Sequence, residues 1–384
     1  MDEHALEAWF RLAHTPGISR AAARVLLSAF GTPQAVFDAP AKSWREVVPP
    51  KVVRALIDPP ADHLPRWLVA RDWLQASEHR HVICLGDDDY PDSLLNTEDP
   101  PLLMYAEGQT TALRAPALAV VGSRNPTPEG ARNARAFAQT LASEGWAIVS
   151  GLARGIDASA HEGALEAGGI TIAIIGTGPD LAYPAAHRGL MRRIADSRGL
   201  VLSEYSPGSP PVPAHFPQRN RLIAGLAKGT LVVEAALQSG SLITARLASE
   251  AGREVFAIPG SIHSPLSKGC HALIQQGAKL AQTAHDVIEE LQGSRPAGVA
   301  APGAGAADET EASSAATGPP EDPADGPPPD PVLRALGWEP VALDTLCQRT
   351  GWPVAELSAR LLEHELTGQV TRHAGGLYQR TRRT

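Results

Sequence analysis

Six short apolar segments, each followed by a glycine-rich turn and a helical stretch, fill residues 115–290. Valine and isoleucine dominate these segments, which is typical of strands that are buried on both faces of a sheet. Strands that alternate with helices in this way form a parallel sheet with right-handed crossovers. The sequence therefore predicts an α/β fold with a doubly wound parallel sheet, whose strands lie at residues 118–121, 147–150, 171–175, 200–204, 231–235 and 254–258.

A small helical domain is predicted on the amino-terminal side of this sheet. Residues 1–65 consist of short helical stretches joined by proline and glycine turns. This pattern is typical of a sterile-alpha-motif or helix-hairpin-helix module, in which a hairpin can hold a phosphate or can serve helix packing alone. Residues 66–114 add a further helix and an apolar strand near 102–105, which gives an extended sheet domain over residues 66–292.

The region after the sheet predicts a linker and a second small domain. Residues 293–330 have no aromatic residue and are rich in proline, alanine and glycine, so we expect a disordered acidic linker. Residues 331–384 give three helical stretches and a hairpin, which predicts a winged-helix domain. The third helix, residues 353–366, has one arginine and three glutamates. Because an acidic helix is poorly suited to contact DNA, this helix is predicted equally well to contact another protein or to read DNA.

The formal net charge of −8 is distributed unevenly along the chain. Residues 293–330 hold one arginine and seven acidic residues, and residues 81–121 hold the same numbers, so each range contributes −6. The rest of the chain therefore carries +4. This distribution permits a local basic face, which is what binding of a polyanion such as nucleic acid requires.

The sequence predicts a cytoplasmic protein without a membrane segment or a metal site. Cys84, Cys270 and Cys347 lie far apart in the chain, which is not typical of a disulfide framework or a zinc site. The amino terminus is acidic where a signal peptide would be basic, and no run of about 18 apolar residues follows it.

The turns after the first two strands combine glycine with arginine. Glycine lets the backbone approach a phosphate closely, serine offers a hydroxyl, and arginine offers a bidentate fork at the positive end of the following helix. An ordinary turn with a surface arginine is the alternative interpretation. The residues concerned are Gly122, Ser123 and Arg124 in the first turn and Gly151, Arg154 and Gly155 in the second.

Asp157 and His161 follow the second turn. Asp157 is predicted to cap the next helix, and His161 lies one turn later on the same helix face. Such a pair can act as an acid–base couple, but a structural hydrogen bond that shapes the turn is the preferred interpretation.

The remaining turns favour a polyanion over a dinucleotide. The turn at residues 176–180 lacks the third glycine of a dinucleotide fingerprint, and its proline removes an amide donor, so no NAD site is expected. Residues 215–221 offer a ring for stacking together with cationic and amide donors, which suits a single-stranded nucleic acid. The residues concerned in this segment and in the last two turns are Phe216 as the ring, and Arg219, Asn220, Ser239, Gly240, Ser241 and Lys268 as donors.

Taken in order, these motifs resemble those of the DNA-processing protein A family, DprA, also called Smf. The resemblance covers residues 115–285 and rests on the segments VGSRNPT, SGLARGIDASAH, GTGPDLAYPAAH, SEYSPG, HFPQRNRLIAGL, EAALQSGSLITARLA and FAIPGSIHSPLSKGCHALIQQGAKL. It implies a Rossmann-like, dimeric protein that binds and protects single-stranded DNA and helps to load RecA recombinase during natural transformation. It implies no cofactor, and by motif it implies a DNA-binding set of Gly122, Ser123, Arg124, Gly151, Arg154, Gly155, Phe216, Arg219, Asn220, Ser239, Gly240, Ser241 and Lys268.

A second hypothesis is an enzyme that hydrolyses nucleoside monophosphates, since related Rossmann-like folds host this reaction. Glu234 ends a strand beside the serine-rich turn, and His161, His215 and His263 are candidate acid–base groups. The sequence shows no activated nucleophile, no metal-ligand cluster and no complete nucleotide fingerprint. A non-enzymatic DNA-binding protein is therefore the preferred hypothesis.

Overall fold

The computed structural model describes residues 2–58, 60–293, 330–337, 340–373 and 376–381. Residues 294–329, which hold nearly all of the predicted linker, lie outside the described residues. No helix in the described ranges is both long enough and apolar enough to cross a membrane.

Short capped helices form the amino-terminal part of the chain. Asp2, Ser19 and Thr32 each accept a hydrogen bond from the backbone amide three residues ahead. These caps satisfy donors that a helix leaves unpaired at its start. Leu12 and Leu26 are fully buried between the helices, so this part of the chain has its own core. The helices are α1 (Glu3–His14), α2 (Arg20–Phe30), α3 (Pro33–Asp38), α4 (Ala41–Arg45), α5 (Pro50–Ile57) and α6 (His63–Gln75).

The central domain alternates strands and helices. Its strands are β1 (Arg80–Cys84), β2 (Leu103–Gly108), β3 (Ala117–Val121), β4 (Ala147–Ser150), β5 (Thr171–Ile175), β6 (Leu200–Ser203), β7 (Gly229–Val232), β8 (Glu254–Ala257) and β9 (Lys279–Leu280). Its helices are α7 (Asp92–Leu95), α8 (Pro128–Ser143), α9 (Ile156–Glu166), α10 (Arg188–Ala195), α11 (His215–Leu226), α12 (Gly240–Glu250), α13 (Lys268–Gln275) and α14 (Ala284–Gly293). Short 3₁₀ turns occupy Thr110–Arg114, Ala185–His187 and Pro265–Ser267.

Within the described residues these strands form one nine-stranded sheet, in the order β1-β2-β6-β5-β4-β3-β7-β8-β9. The seven strands from β6 to β9 in this order are parallel, which confirms the predicted doubly wound sheet. β2, the strand predicted near 102–105, pairs antiparallel with β6, and β1 pairs antiparallel with β2. The sequence did not predict β1, because its arginine and histidine interrupt the apolar run, or β9, because it has two residues.

Burial on both faces explains the apolar composition of the central strands. Leu118 and Val120 of β3 point into the core on one side of the sheet, and Ala119 and Val121 point into the core on the other side. Successive side chains of a strand face opposite ways, so a strand covered on both faces needs apolar residues at every position.

The carboxyl-terminal part has the predicted three helices and hairpin. Its core contains Leu346, Leu357 and Leu361, and the buried ring of Tyr378 belongs to the same cluster. In the third helix, Arg360 pairs with Glu363 at 2.8 Å, so its arginine is already engaged by a neighbouring acid. The elements are α15 (Pro331–Leu336), β10 (Val341–Ala342), α16 (Leu343–Thr350), α17 (Val354–Leu366), β11 (Val370–His373) and β12 (Leu377–Arg380), with the strand order β10-β12-β11.

Candidate nucleic-acid interface

The chain reverses the direction in which it builds the sheet at β3, which has β4 on one side and β7 on the other. In a doubly wound sheet, the crevice outside the carboxyl ends of the strands at such a point is the usual ligand site. The turns that follow β3, β4, β5, β7 and β8 lie along this edge, and they hold most of the residues predicted for the site.

The turns after β3 and β4 are packed tightly against each other. The amide of Ile156 donates to the carbonyl of Ser123 at 3.1 Å, and Gly155 has a φ of +78°. A Cβ atom at Gly155 would collide with the carbonyl oxygens of Ser123 and Arg124, and one at Gly122 would lie 2.7 Å from the side chain of Ile156. Both glycines are therefore required by the packing of the two turns, before any phosphate is considered.

Arg219 does not face the solvent, which corrects the phosphate-neutralising role predicted for it. The residue is 5% exposed, and its guanidinium donates to the carbonyl oxygens of Gly151 and Ile174. Its Nε donates to Oδ1 of Asn220 at 3.1 Å. Burial lowers the pKa of Arg219 to about 10. Arg219 therefore fixes α11 against the turn after β4, and Gly151 is needed because a side chain there would collide with the guanidinium.

Asp157 shapes the same turn from inside. α9 begins at Ile156 with Gly155 at its cap position, so the prediction that Asp157 caps this helix is wrong. The Asp157 carboxylate accepts hydrogen bonds from the amides of Gly151 at 3.1 Å and Ala153 at 3.3 Å. Burial raises the pKa of Asp157, while the nearby positive charge of Arg219 opposes that rise.

His161 is a core residue. Its imidazole is fully buried, and Nδ1 lies 2.7 Å from Oγ1 of Thr171, whose hydroxyl donates to the carbonyl of Ile148 at 2.9 Å. Burial lowers the pKa of His161 to about 3. It makes no hydrogen bond to Asp157, so the two residues form no acid–base couple in this structure.

Three other cations predicted for the site are available to a ligand. Arg124 and Arg154 are exposed, and Lys268 is half-buried at the start of α13. Among the described residues none of the three side chains has an ion-pair or hydrogen-bond partner. Unpaired cations at a sheet edge that also presents amide and hydroxyl donors are suited to phosphate groups.

Phe216, in the first turn of α11, packs against the turn after β5. Its ring is half-buried and packs on Gly176, where a Cβ atom would come within 3.1 Å of Cδ1. The ring of Tyr183 lies beside it, with ring centroids 5.2 Å apart and an angle of 41° between the planes. His215 stacks on Tyr205 at 3.8 Å and 14°. The site therefore holds a group of rings, of which the sequence predicted Phe216 alone.

The turn after β7 presents open backbone at the start of α12. Ser239 is the cap residue, and its hydroxyl lies 3.4 Å from the amide of Ser241 and 2.8 Å from the Ser241 hydroxyl. Gly240 has a negative φ and no atom within 4 Å of the position a Cβ would take. Gly240 itself is exposed, so the backbone at this position is open to a ligand, as a phosphate contact would need.

Glu234 brings a negative charge of its own into the crevice between β3 and β7. Its carbonyl accepts from the amide of Ser123 at 2.7 Å. Its carboxylate accepts from the amide of Thr127 at 2.9 Å and from the Thr127 hydroxyl at 2.6 Å, at the start of α8. Burial raises the pKa of Glu234. The helix start where a Rossmann-like fold usually binds a phosphate is therefore occupied by a carboxylate of the same chain.

Ion pairs connect α11, the helix that carries Phe216, to the amino-terminal helices. Arg221 of α11 pairs with Glu204 at 2.5 Å, and Arg20 of α2 lies 3.3 Å from the same carboxylate. Arg20 also pairs with Asp99 at 2.5 Å. The amino-terminal helices therefore help to fix the position of α11 and of the rings at its start.

Two family models match the chain. One is described as DNA recombination-mediator protein A and matches residues 81–292. The other is described as the DprA winged helix domain and matches residues 315–376. The first match includes all strands of the sheet apart from the first residue of β1.

Similar curated proteins and solved structures agree with these matches. Protein Smf of Escherichia coli is 43% identical over 312 residues, which is 81% of this chain and 80% of that protein. DNA processing protein DprA of Streptococcus pneumoniae is 52% identical over 206 residues, which is 54% of this chain and 72% of that protein. The X-ray structure of DprA from Streptococcus pneumoniae has a TM-score of 0.64 and 37% identity, and covers 76% of this chain and 98% of its own.

A second similar structure is that of DNA processing protein A from Helicobacter pylori, which was described for its single-stranded DNA binding mode. It has a TM-score of 0.50 and 32% identity, and covers 56% of this chain and 96% of its own. The match of the family model to more than half of the chain, and the similarity to Smf over most of both sequences, show that the chain belongs to the DprA/Smf family of DNA-processing proteins.

Proposed function

We propose that this protein binds single-stranded DNA along the carboxyl edge of its central sheet. The observation that carries the proposal is the presence at one edge of three cations without a partner among the described residues, namely Arg124, Arg154 and Lys268, together with the half-buried ring of Phe216. Cations that track a backbone and rings on which bases stack are the two parts of a sequence-tolerant single-strand site. The similarity to a DNA processing protein A whose structure was described for its single-stranded DNA binding mode supports the same proposal.

The residues of the site fall into two groups in this proposal. Arg124, Arg154 and Lys268 contact phosphates, the amides around Gly240 cap a phosphate oxygen, and Phe216 stacks a base. The second group holds these residues in place, and consists of Gly122, Ser123, Gly151, Gly155, Arg219, Asn220, Ser239 and Ser241. Loss of the Phe216 ring in Phe216→Ala is expected to lower the binding free energy by about 1 to 3 kcal/mol.

The wider role that we propose follows from membership of the family. In it, the protein acts in the cytoplasm as a homodimer, protects single-stranded DNA that enters the cell during natural transformation, and helps to load RecA recombinase onto it. The description of the matching family model as a recombination mediator supports this role. Measurement of RecA filament growth on DNA coated with a single-strand-binding protein, with and without this protein, tests it directly.

We also propose that the protein is not an enzyme. The carboxylate of Glu234, the acid of the alternative hypothesis, is held by Thr127, and His161 is buried in the core. Neither group is free to activate water at the sheet edge. Turnover of a nucleoside monophosphate by the purified protein, with loss of that turnover in Glu234→Gln, would contradict the proposal.

Affinities for single-stranded and duplex DNA at two salt concentrations test the DNA-binding proposal. The protein is expected to prefer the single strand, and Arg124→Gln is expected to weaken binding to all sequences. It should also reduce the slope of log affinity against log salt by about 0.7, because one phosphate contact is lost. Arg54→Gln is the matched control, since Arg54 is an exposed arginine of α5, in the amino-terminal helices, and has no described partner. Equal affinities and slopes in the two variants would overturn the assignment of the site.

A further inference from the structure

The helix α10 carries a set of arginines that the proposed site does not use. Arg188, Arg192 and Arg193 lie on this helix, and Arg198 follows it closely. All four are exposed, and in the described part of the chain no acid or carbonyl pairs with any of their side chains. Surface arginines that stabilise a fold do so through ion pairs or stacking, neither of which is present here. The helix therefore has the positive charge of a polyanion-binding surface, and no acidic residue in the described part of the chain neutralises that charge.

Tyr183 lies in the turn that leads into α10. It is 49% exposed, and its ring is the one that approaches Phe216 at 5.2 Å. The turn is held from within, because the hydroxyl of Thr177 donates to the carbonyl of Leu181 at 2.6 Å and Asp180 accepts from the amide of Gly208 at 2.9 Å. Tyr183 is thus an exposed ring on a fixed turn, which is the property required of a stacking surface.

The start of α10 adjoins the proposed DNA site. His187, the residue before the helix, has Nδ1 2.9 Å from the carbonyl of Leu152 in the turn that carries Arg154. Arg188 and Arg192 are one helical turn apart, so they lie on the same face about 6 Å apart along the axis. Arg198 lies beyond the other end of the helix, before β6 begins, and is therefore at the opposite edge of the sheet.

We propose that the single-stranded DNA site extends from Phe216 over Tyr183 and along the first turn of α10. In this extension Tyr183 stacks a second base, and Arg188 and Arg192 contact the phosphates that follow it. The inference rests on the proposed function, because the ligand is the same strand. Continuity with the ring of Phe216, the exposed ring of Tyr183 and the positive charge of α10, which has no partner among the described residues, together favour single-stranded nucleic acid over an acidic protein surface, since bases stack on rings and carboxylates do not.

Affinities for a short and a long single-stranded oligonucleotide test the phosphate contacts proposed for α10. A strand of about 6 nucleotides fills the part of the site at Phe216 and Arg124, and one of about 20 nucleotides also covers α10. Arg188→Gln is expected to weaken binding of the long strand and reduce its salt slope by about 0.7, while the short strand binds as before. Arg198→Gln removes an equally exposed and unpaired arginine at the opposite edge, and is expected to change neither length.

Two substitutions of Tyr183 test the stacking contact. Tyr183→Ala is expected to weaken binding of the long strand by between about 5-fold and about 150-fold without a change in salt slope. Tyr183→Phe keeps the ring and is expected to bind like the unaltered protein, which excludes a loss caused by the missing hydroxyl.

The outcomes separate this inference from the proposed function. If the unaltered protein binds both lengths, and Arg188→Gln and Tyr183→Ala behave like Arg198→Gln, the extension is wrong and the DNA site at Phe216 stands. If both substitutions weaken the short and long strands equally, the extension is likewise wrong, because these residues then belong to the first site. If the unaltered protein binds neither length, the proposed function fails and the extension fails with it.

Discussion

Two groups of turns at the same edge of the sheet carry similar residues and use them differently. The turns after β3 and β4 contain glycine, serine and arginine. The turns after β7 and β8 contain glycine and serine too, with lysine in place of arginine. In the first group Gly151 and Gly155 make room for neighbouring atoms, and Arg219 of α11 is buried against Gly151. In the second group Gly240 has open space around it and Lys268 has no described partner.

The comparison teaches that a glycine- and arginine-rich turn has two physical uses that its composition does not distinguish. A tightly packed first group gives a rigid base for the site, since every movement there breaks hydrogen bonds to buried groups. In the second group the open space at Gly240 and the side chain of Lys268, which has no described partner, leave donors available for a ligand. We expect substitutions of the packed residues Gly151, Gly155 and Arg219 to act mainly on stability, and substitutions at Gly240 and Lys268 to act mainly on DNA affinity.

Arg219→Ala should show the largest effect. It leaves the carbonyl oxygens of Gly151 and Ile174 without a donor and Asp157 without its nearby positive charge. We expect the free energy of unfolding to fall by about 3 kcal/mol or more, measured by denaturant titration. Arg124→Ala removes an exposed arginine that has no described hydrogen-bond partner, and the free energy of unfolding should stay within about 0.5 kcal/mol of the unaltered value. A loss below about 1 kcal/mol in Arg219→Ala would mean that its guanidinium is not part of the packed base.

An intermediate effect is expected from the titration of His161. Its pKa of about 3 in the folded protein lies below the ordinary value of 6.5, so the unfolded chain binds the proton more readily. Stability is therefore present above pH 6.5 and is lost as the pH falls from there towards 3. Between pH 7 and pH 5 this single group should cost about 2 kcal/mol.

Urea unfolding at several pH values checks the titration. His161→Gln should lose less stability over this pH range than the unaltered protein, because no proton is taken up on unfolding. His263→Gln is the matched control in the second group of turns, since His263 is exposed there, and should leave the pH dependence unchanged. Parallel pH profiles for the unaltered protein and His161→Gln would contradict the burial of an uncharged imidazole.

Much of the fold could be predicted from the sequence because the central strands are mostly apolar on both faces. Burial of β3 to β8 on both faces leaves a continuous signal that short polar turns interrupt. The edges gave no such signal, since β1 carries Arg80 and His81 and β9 has two residues. Edge strands are only half covered, so their composition is not constrained in the same way.

The site was predicted less completely, for a physical reason that Arg124 and Arg219 illustrate. Both are arginines near a helix start and a glycine, and only the long-range contact of Arg219 with the turn after β4 separates a buried guanidinium from an exposed one. Tyr183 was missed because its partner Phe216 is 33 residues away in the chain. The proline after it and the helix that follows gave a local signal of a turn, but contacts across the sheet edge have no local signature.

Gly240→Ala should show the smallest effect, and it separates the two groups of turns most directly. The added methyl group meets no atom within 4 Å, and the backbone there needs no positive φ. Because alanine restricts the unfolded chain more than glycine does, the free energy of unfolding should rise by about 0.4 to 1 kcal/mol. If a phosphate approaches the amides at the start of α12, the same methyl group should obstruct it and weaken single-strand binding a few-fold. A variant that is more stable and yet binds less tightly cannot owe its loss to misfolding. Unchanged affinity would place the phosphate path away from α12 and leave Lys268 as the contact of the second group.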